Sequence, residues 1–347
     1  MPSDLIPRAR LTTLLDGARS QHIVVVGDAM LDVYLRGDVD RVSPEAPVPV
    51  VRVRERRLAL GGAANVAQNV AALGAKVTLV AAVGRDEAAS NFKKALAAIG
   101  AASGGLVEVA RPTTTKTRIV ARAQQLLRVD EEADDDFTGV DAAKIADAVE
   151  RAVASADAVV LEDYNKGVLV VPVIERAIAA ARKRGIPVVV DPKYRNFFAY
   201  AGATVFKPNR RELESALGAA VDIDHPETLP AMVERLGVDA LLLTLSERGM
   251  ALIERGAAGK AGAVSGTASG ADAVRRIPTT AREVYDVVGA GDTVTAYLAA
   301  ILAAGATPLE AAIIANFAAG VEVGKSGAAT VSSAEVLAAY DLHRTES

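Results

Sequence analysis

The 347-residue chain has no cysteine and no tryptophan. Without thiols there is no disulfide framework, no thiolate metal centre and no cysteine nucleophile. Aromatic residues make up only 4% of the chain, so its core must rest on Ala, Val, Leu and Ile. That mix suits parallel strands buried on both faces. The net charge is −4 and no long basic block occurs, which argues against an extended nucleic-acid footprint. Met1 to Gln21 alternates charged and apolar residues and lacks the apolar run of a signal peptide. No stretch reaches the ~18 uninterrupted apolar residues of a membrane span. The default expectation is a cytoplasmic protein that acts on small molecules, with no nucleic acid and no membrane as partner. At 51% hydrophobic and 24% charged the composition is globular.

Short β-branched runs alternate with Ala-rich helical patterns. His22–Gly27, Lys76–Val83, Ala158–Leu161, Pro187–Val190, Thr204–Phe206 and Ala240–Leu245 read as strands. Ala63–Leu73, Glu87–Ile99, Val140–Ala154, Val171–Arg184 and Arg210–Leu217 read as the helices between them. The last third closes with helical patterns at Ala290–Ala304, Leu309–Val323 and Ala334–Tyr340. This order predicts a predominantly parallel sheet covered on both faces. Two regions break it: Tyr34–Leu60, with three prolines followed by an alternating run, and the strand-like stretch Lys116–Val129. Both are expected to form a small β-structure, a lid built from about residues 34–60 and 107–130 inserted in one domain spanning 1–347; an antiparallel extension of the sheet edge fits the pattern equally. Glu254–Asp272 is rich in Gly, Ala and Ser and reads as a surface loop.

The strongest chemical signal is Asp286-Val287-Val288-Gly289-Ala290-Gly291-Asp292, which enters a helix. Small residues let main-chain N–H groups converge, and a helix N-terminus adds unpaired donors and a positive dipole end. Gly289, Ala290 and Gly291 thus form a candidate anion hole for a transferring phosphoryl group. Asp292, in the first turn, is a candidate general base. Gly61-Gly62-Ala63-Ala64-Asn65 also opens a helix: Gly61 and Gly62 permit close approach, and Asn65 offers a donor and an acceptor to a polyol. Asp28 and Asp32 follow the first strand, at the end where parallel sheets bind ligands. Each segment also has a plain reading, as a capped turn or a small-residue helix start.

The Gly-Gly-Ala-Ala-Asn-Val-Ala segment and the Asp-Val-Val-Gly-Ala-Gly-Asp segment, in this order, resemble the PfkB (ribokinase-like) carbohydrate kinases from about Val24 to Ala328. The resemblance implies a ribokinase-like three-layer α/β/α sandwich with a small β-lid, ATP with Mg²⁺, and a homodimer through the lids. It makes Asn209 and Glu212 organisers of water around the metal. Arg210, Arg211, Thr244, Ser246 and Gly249 become nucleotide contacts, and Asn316 lines the adenine pocket. Position 288 departs from the pattern, with Val where Ser or Thr is common, as does Tyr194-Arg195-Asn196 after Asp191-Pro192-Lys193.

Within the family, Gly27–Tyr34 and Arg41-Val42-Ser43-Pro44-Glu45-Ala46-Pro47-Val48-Pro49-Val50 are similar to the kinases of D-glycero-β-D-manno-heptose 7-phosphate. The implied reaction phosphorylates the C1 hydroxyl, toward ADP-heptose and the lipopolysaccharide inner core. With no H-x-G-H-type motif before Ser347, the chain is expected to resemble the stand-alone form. A sugar phosphate also needs cations. Candidates are Lys116, Arg118, Arg122 and Arg128 on the lid and Lys193 at a strand end, while Glu162 and Asp163 are candidates for sugar hydroxyls. Three rivals remain: a family kinase for ribose, fructose or a ketose phosphate; a non-catalytic sugar-binding regulator; and a Rossmann dehydrogenase. Asp28-Ala29-Met30 after Gly27 argues against the last.

Overall fold

The computed structural model describes residues 6–122, 124–222, 229–256 and 274–346. Most of the loop expected at Glu254–Asp272 lies outside them.

Nine strands form one sheet: β1 (His22–Gly27), β4 (Lys76–Val83), β5 (Ala102–Glu108), β8 (Ala158–Glu162), β9 (Val188–Asp191), β10 (Val205–Phe206), β11 (Ala240–Thr244), β12 (Met250–Glu254) and β13 (Val274–Ile277). Their order is β13-β12-β11-β10-β9-β8-β1-β4-β5. Pairing is parallel from β5 through β11, and β12 and β13 add antiparallel strands at one edge. Strand β1 separates the two directions in which the sheet grows, so the crevice at its carboxyl end is a topological switch point. There Gly27 stands opposite Glu162, and Glu162 opposite Asp191.

Helices cover both faces. On one side lie α1 (Arg8–Ala18), α2 (Ala63–Ala72), α3 (Glu87–Ala98), α8 (Ala290–Ala303), α9 (Pro308–Glu322) and α10 (Ser333–Glu346). On the other lie α4 (Gly139–Val153), α5 (Val171–Arg184), α6 (Arg210–Leu217) and α7 (Leu229–Leu236). Along β1, Ile23 and Val25 enter the first core while Val24 and Val26 enter the second, as the period of two requires. This is the three-layer sandwich. Helix α8 is buried along most of its length because α2 and α9 flank it on the sheet. Helices α1 and α7 and strands β5, β12 and β13 were not predicted.

A second sheet, order β3-β2-β6-β7, contains β2 (Ala29–Val42), β3 (Pro49–Gly62), β6 (Thr115–Ala121) and β7 (Gln124–Glu131). Its first excursion begins at Ala29 rather than at residue 34. Residues 107 and 108 belong instead to β5 in the main sheet, and Lys116–Val129 is a hairpin rather than one strand. The Ser43-Pro-Glu-Ala-Pro segment forms the exposed turn between β2 and β3, with the Ser43 amide donating to the Val48 carbonyl. Residues paired across the sheet share a face. One face is polar, with Asp32, Tyr34, Arg57, Lys116, Arg118, Arg128 and Asp130. The other carries Leu31, Val33, Leu58, Ile119, Leu127 and Val129.

Candidate active site

Asp292 is placed by three elements. Gly289 is the N-cap of α8, with φ +100°, a backbone state that L side chains rarely adopt. The turn brings Gly289, Ala290, Gly291 and Asp292 to the wall of a cavity of about 520 Å³, with the Ala290 amide donating to the Val287 carbonyl at 3.4 Å. Asn65, in the first turn of α2, donates from Nδ2 to Asp292 Oδ2 at 2.7 Å, and the Tyr164 hydroxyl donates to Oδ1 at 2.9 Å. Asp292 is buried, and desolvation together with Asp191 pushes its carboxyl up to about 6, against the pull of Asn65, Tyr164 and Lys207. A carboxylate poised near neutrality and held by two neutral donors is suited to accept a proton.

Beneath it lies a buried charge cluster. Carboxylate oxygens of Glu162, Asp191 and Asp292 lie within 4.8 Å of one another. Lys207 Nζ sits 2.7 Å from Asp191 Oδ2, and Thr295 donates to the same oxygen at 3.2 Å. Burial alone would lower the Lys207 ammonium, yet Asp191 and Glu162 hold it above its ordinary value. Glu162 is pushed well up by desolvation and by Asp191, and its Oε2 has no hydrogen-bond partner.

Several residues stand elsewhere than expected. Asp28 is not open to a polyol: it is buried, and its carboxylate accepts main-chain N–H groups from Tyr164, Lys166 and Val168 at 2.9, 2.9 and 3.0 Å. It clamps the loop after β8. Glu162 faces Asp191 and Asp292 in the buried cluster, and Asp163 accepts from Tyr200 and from the Asn165 amide. Neither is exposed to a sugar. Gly61 and Gly62 allow close packing: a Cβ on Gly62, where φ is +57°, would lie 2.4 Å from the Asp28 carbonyl oxygen. The Asn65 amide nitrogen is spent on Asp292, leaving its Oδ1 without a partner.

The predicted phosphate cations are all accounted for within the protein except at the hairpin tip. Lys116 pairs with Asp130 and Glu132 at 3.2 and 2.9 Å, Arg128 pairs with Asp130, and Arg118 pairs with Asp32. Arg122 occupies the exposed β6–β7 turn with φ +49°. Lys193 sits in the cavity but binds Glu212, with its ammonium 5.2 Å from the Tyr164 ring centroid.

The predicted nucleotide side is brought together. Asn209, Glu212, Thr244, Ser246, Gly249 and Asn316 line the same cavity as Asp292. Asn209 and Glu212 form a reciprocal capping box at the start of α6. Asn316 Nδ2 donates to the Pro278 carbonyl at 2.8 Å, bracing that wall. Arg210, paired with Glu214, and Arg211 border an adjoining depression instead of the main cavity.

Sequence reasoning passed over Tyr164, Asp191 and Lys207 as site residues. The last had a legible signal, a lysine closing the buried run Val205-Phe206, where a charge needs a partner. Tyr164 had none, since its partner is 128 positions away.

A parallel α/β sheet whose switch point opens on a helix N-terminus and a buried carboxylate, beside a cavity of about 520 Å³, is the arrangement expected of a ribokinase-like kinase. The profile of the pfkB family carbohydrate kinases matches residues 20–335. The chain belongs to that family of carbohydrate kinases. It is 41% identical over 343 residues to the bifunctional protein HldE of Pelobacter propionicus, covering 98% of this chain and 67% of that one. It is 42% identical over 356 residues to the bifunctional protein HldE of Rhodospirillum rubrum, covering 98% and 66%. The chain thus spans about two thirds of the length of these relatives. It superposes on Arabidopsis thaliana ribokinase complexed with ribose and ATP with a TM-score of 0.69 at 21% identity, over 92% of this chain and 99% of that one. For phosphofructokinase-2 from Escherichia coli in complex with potassium the TM-score is 0.71 at 16% identity, over 93% and 99%. At these identities the likeness is one of fold.

Proposed function

We propose that the chain transfers the γ-phosphoryl group of ATP to the C1 hydroxyl of D-glycero-β-D-manno-heptose 7-phosphate, with Asp292 as general base. The observation that carries the chemistry is the buried Asp292 carboxylate, held by Asn65 and Tyr164 at the N-terminus of α8. The sugar hydroxyl would lie between Asp292 and the γ-phosphorus. Asp292 takes its proton as the oxygen attacks, and the first α8 amides meet the charge that spreads over the phosphoryl oxygens. Positioning and charge stabilisation supply most of the rate, since this transition state asks little covalent chemistry of the protein.

A magnesium ion suits the oxygen donors at the cavity mouth. The Glu212 carboxylate spends one acceptor site on the Asn209 amide and one on Lys193, and of about four sites on a carboxylate the others stay open to metal-bound water. When bound, the ion would neutralise charge between the β- and γ-phosphates.

The heptose assignment rests on the Gly27–Tyr34 and Arg41–Val50 segments. The second sheet acts as the lid, with its polar face, which carries Asp32, Tyr34 and Arg118, toward the sugar. A 7-phosphate is received there by exchange with Asp130 and Glu132 at Lys116 and with Asp130 at Arg128. The outer face leaves Leu58, Leu127 and Val129 exposed, which supports a homodimer through the lids. The test is coupled ADP release with heptose 7-phosphate against unphosphorylated heptose, ribose and fructose 6-phosphate. The phosphorylated heptose is expected to have the highest kcat/KM, and equal values for the two heptoses would defeat the cation assignment. Asp292→Asn is expected to keep ATP binding and lose ~10²-fold or more in kcat.

A further inference from the structure

The loop after β8 is held more firmly than a connecting segment needs. Three of its amides, those of Tyr164, Lys166 and Val168, converge on the buried Asp28 carboxylate. Asp163 accepts from the Asn165 amide at 2.7 Å and from the Tyr200 hydroxyl at 2.8 Å, pinning the loop a second time. Asn165 takes φ +54° and Gly167 φ +92°, so the chain reverses sharply on either side of Lys166. The outcome is that one side chain, Tyr164, leaves this loop and crosses into the cavity. Its ring is braced by the Lys193 ammonium, and its hydroxyl ends 2.9 Å from Asp292 Oδ1.

We propose that Tyr164 is the positioning residue of this kinase: its hydroxyl, with Asn65, fixes the plane of the Asp292 carboxylate so that a free lone pair faces the acceptor hydroxyl. The proposal rests on the reading of Asp292 as the base. Asn65 engages one carboxylate oxygen and Tyr164 the other, so rotation about the carboxylate bond breaks at least one hydrogen bond. A phenol serves this purpose because burial and the surrounding carboxylates raise it well above its ordinary range, and its proton stays on oxygen throughout. Tyr164 therefore donates without competing for the proton that Asp292 must take. The same hydrogen bond favours the ionised carboxylate. It opposes the other groups facing Asp292, namely Asp191, Glu162 and Glu322, and acts with Lys207.

The test is Tyr164→Phe, which removes only the hydroxyl. The expected result is a fall of ~10-fold or more in kcat at pH 7.5, with KM for ATP within about twofold of wild type. The acidic limb of the kcat–pH profile should move up by about one unit, because the ionised base has lost a donor. A merely structural role would lower Tm and leave that limb in place. Asp292→Asn, assayed in parallel, separates the two readings. If Asp292→Asn keeps near-wild-type turnover, the base assignment itself fails. If Asp292→Asn is inactive while Tyr164→Phe matches wild type in kcat and pH profile, the positioning role alone is overturned.

Discussion

Substituting Asp292 by Asn should make the protein more stable as it makes it inactive. The Asp292 carboxyl is raised from 3.8 to about 6 in the folded chain, mainly because it is desolvated and lies beside Asp191. A carboxylate whose folded value lies above its unfolded value opposes folding once the unfolded chain ionises. Below pH 3.8 the group is protonated in both states and has no effect. Between about 4 and 6 the native state holds the proton that the unfolded state has lost, so stability falls as pH rises. Above 6 the deficit is constant. About two units correspond to ~3 kcal/mol, net of the hydrogen bonds from Asn65 and Tyr164 that already favour the ion. Asn has the same shape and no charge, so Asp292→Asn should gain up to that amount at pH 8. The gain should shrink steadily toward zero as pH approaches 4. Urea unfolding of both proteins at pH 5, 6, 7 and 8 reads this directly from the midpoints and slopes. A variant no more stable than wild type at pH 8, or a gap equally large at pH 5, would refute the electrostatic account of the site. The same titration in the wild-type enzyme should appear as a loss of kcat below about pH 6.

Two further outcomes follow from the surroundings of the site. Lys207→Met leaves Asp191 and Glu162 buried without their cation; the expected cost is ~3–5 kcal/mol in denaturant unfolding, with the acidic limb of kcat displaced upward, and a stable variant with an unmoved limb would contradict the pairing. Gly62→Ala forces a side chain into φ +57° and against the Asp28 carbonyl; the expected cost is ~1–3 kcal/mol, read as a lower Tm, together with a higher KM for the sugar, because the hairpin and the Asp28 clamp share that contact.

The periodicities of two and 3.6 were legible without a structure, and they carried the parallel sheet, most of its strands and helices, and ranges such as Val171–Arg184 and Arg210–Leu217 to the residue. The helix entry at Gly289–Asp292 was equally legible, because glycines before an acid at a helix start express a local constraint. Local pattern also placed Asn209 and Glu212, whose capping box spans only three residues. The residues that went astray are those whose roles depend on distant partners. Asp28 looked open to a ligand until a loop about 136 positions away closed on it. Lys116, Arg118 and Arg128 looked free until strand pairing put acids beside them.

By itself, then, the sequence determined the layers, most of the chain of elements and the glycine turn that enters α8, since each is set by neighbours within about a dozen residues. Only the tertiary structure decided which acid is tied up as a clamp and which carboxylate stands at the cavity with neutral donors turned to it. That choice depends on desolvation and on donors brought from far along the chain: Asn65 and Tyr164 turn to Asp292, while three amides of the loop after β8 turn to Asp28.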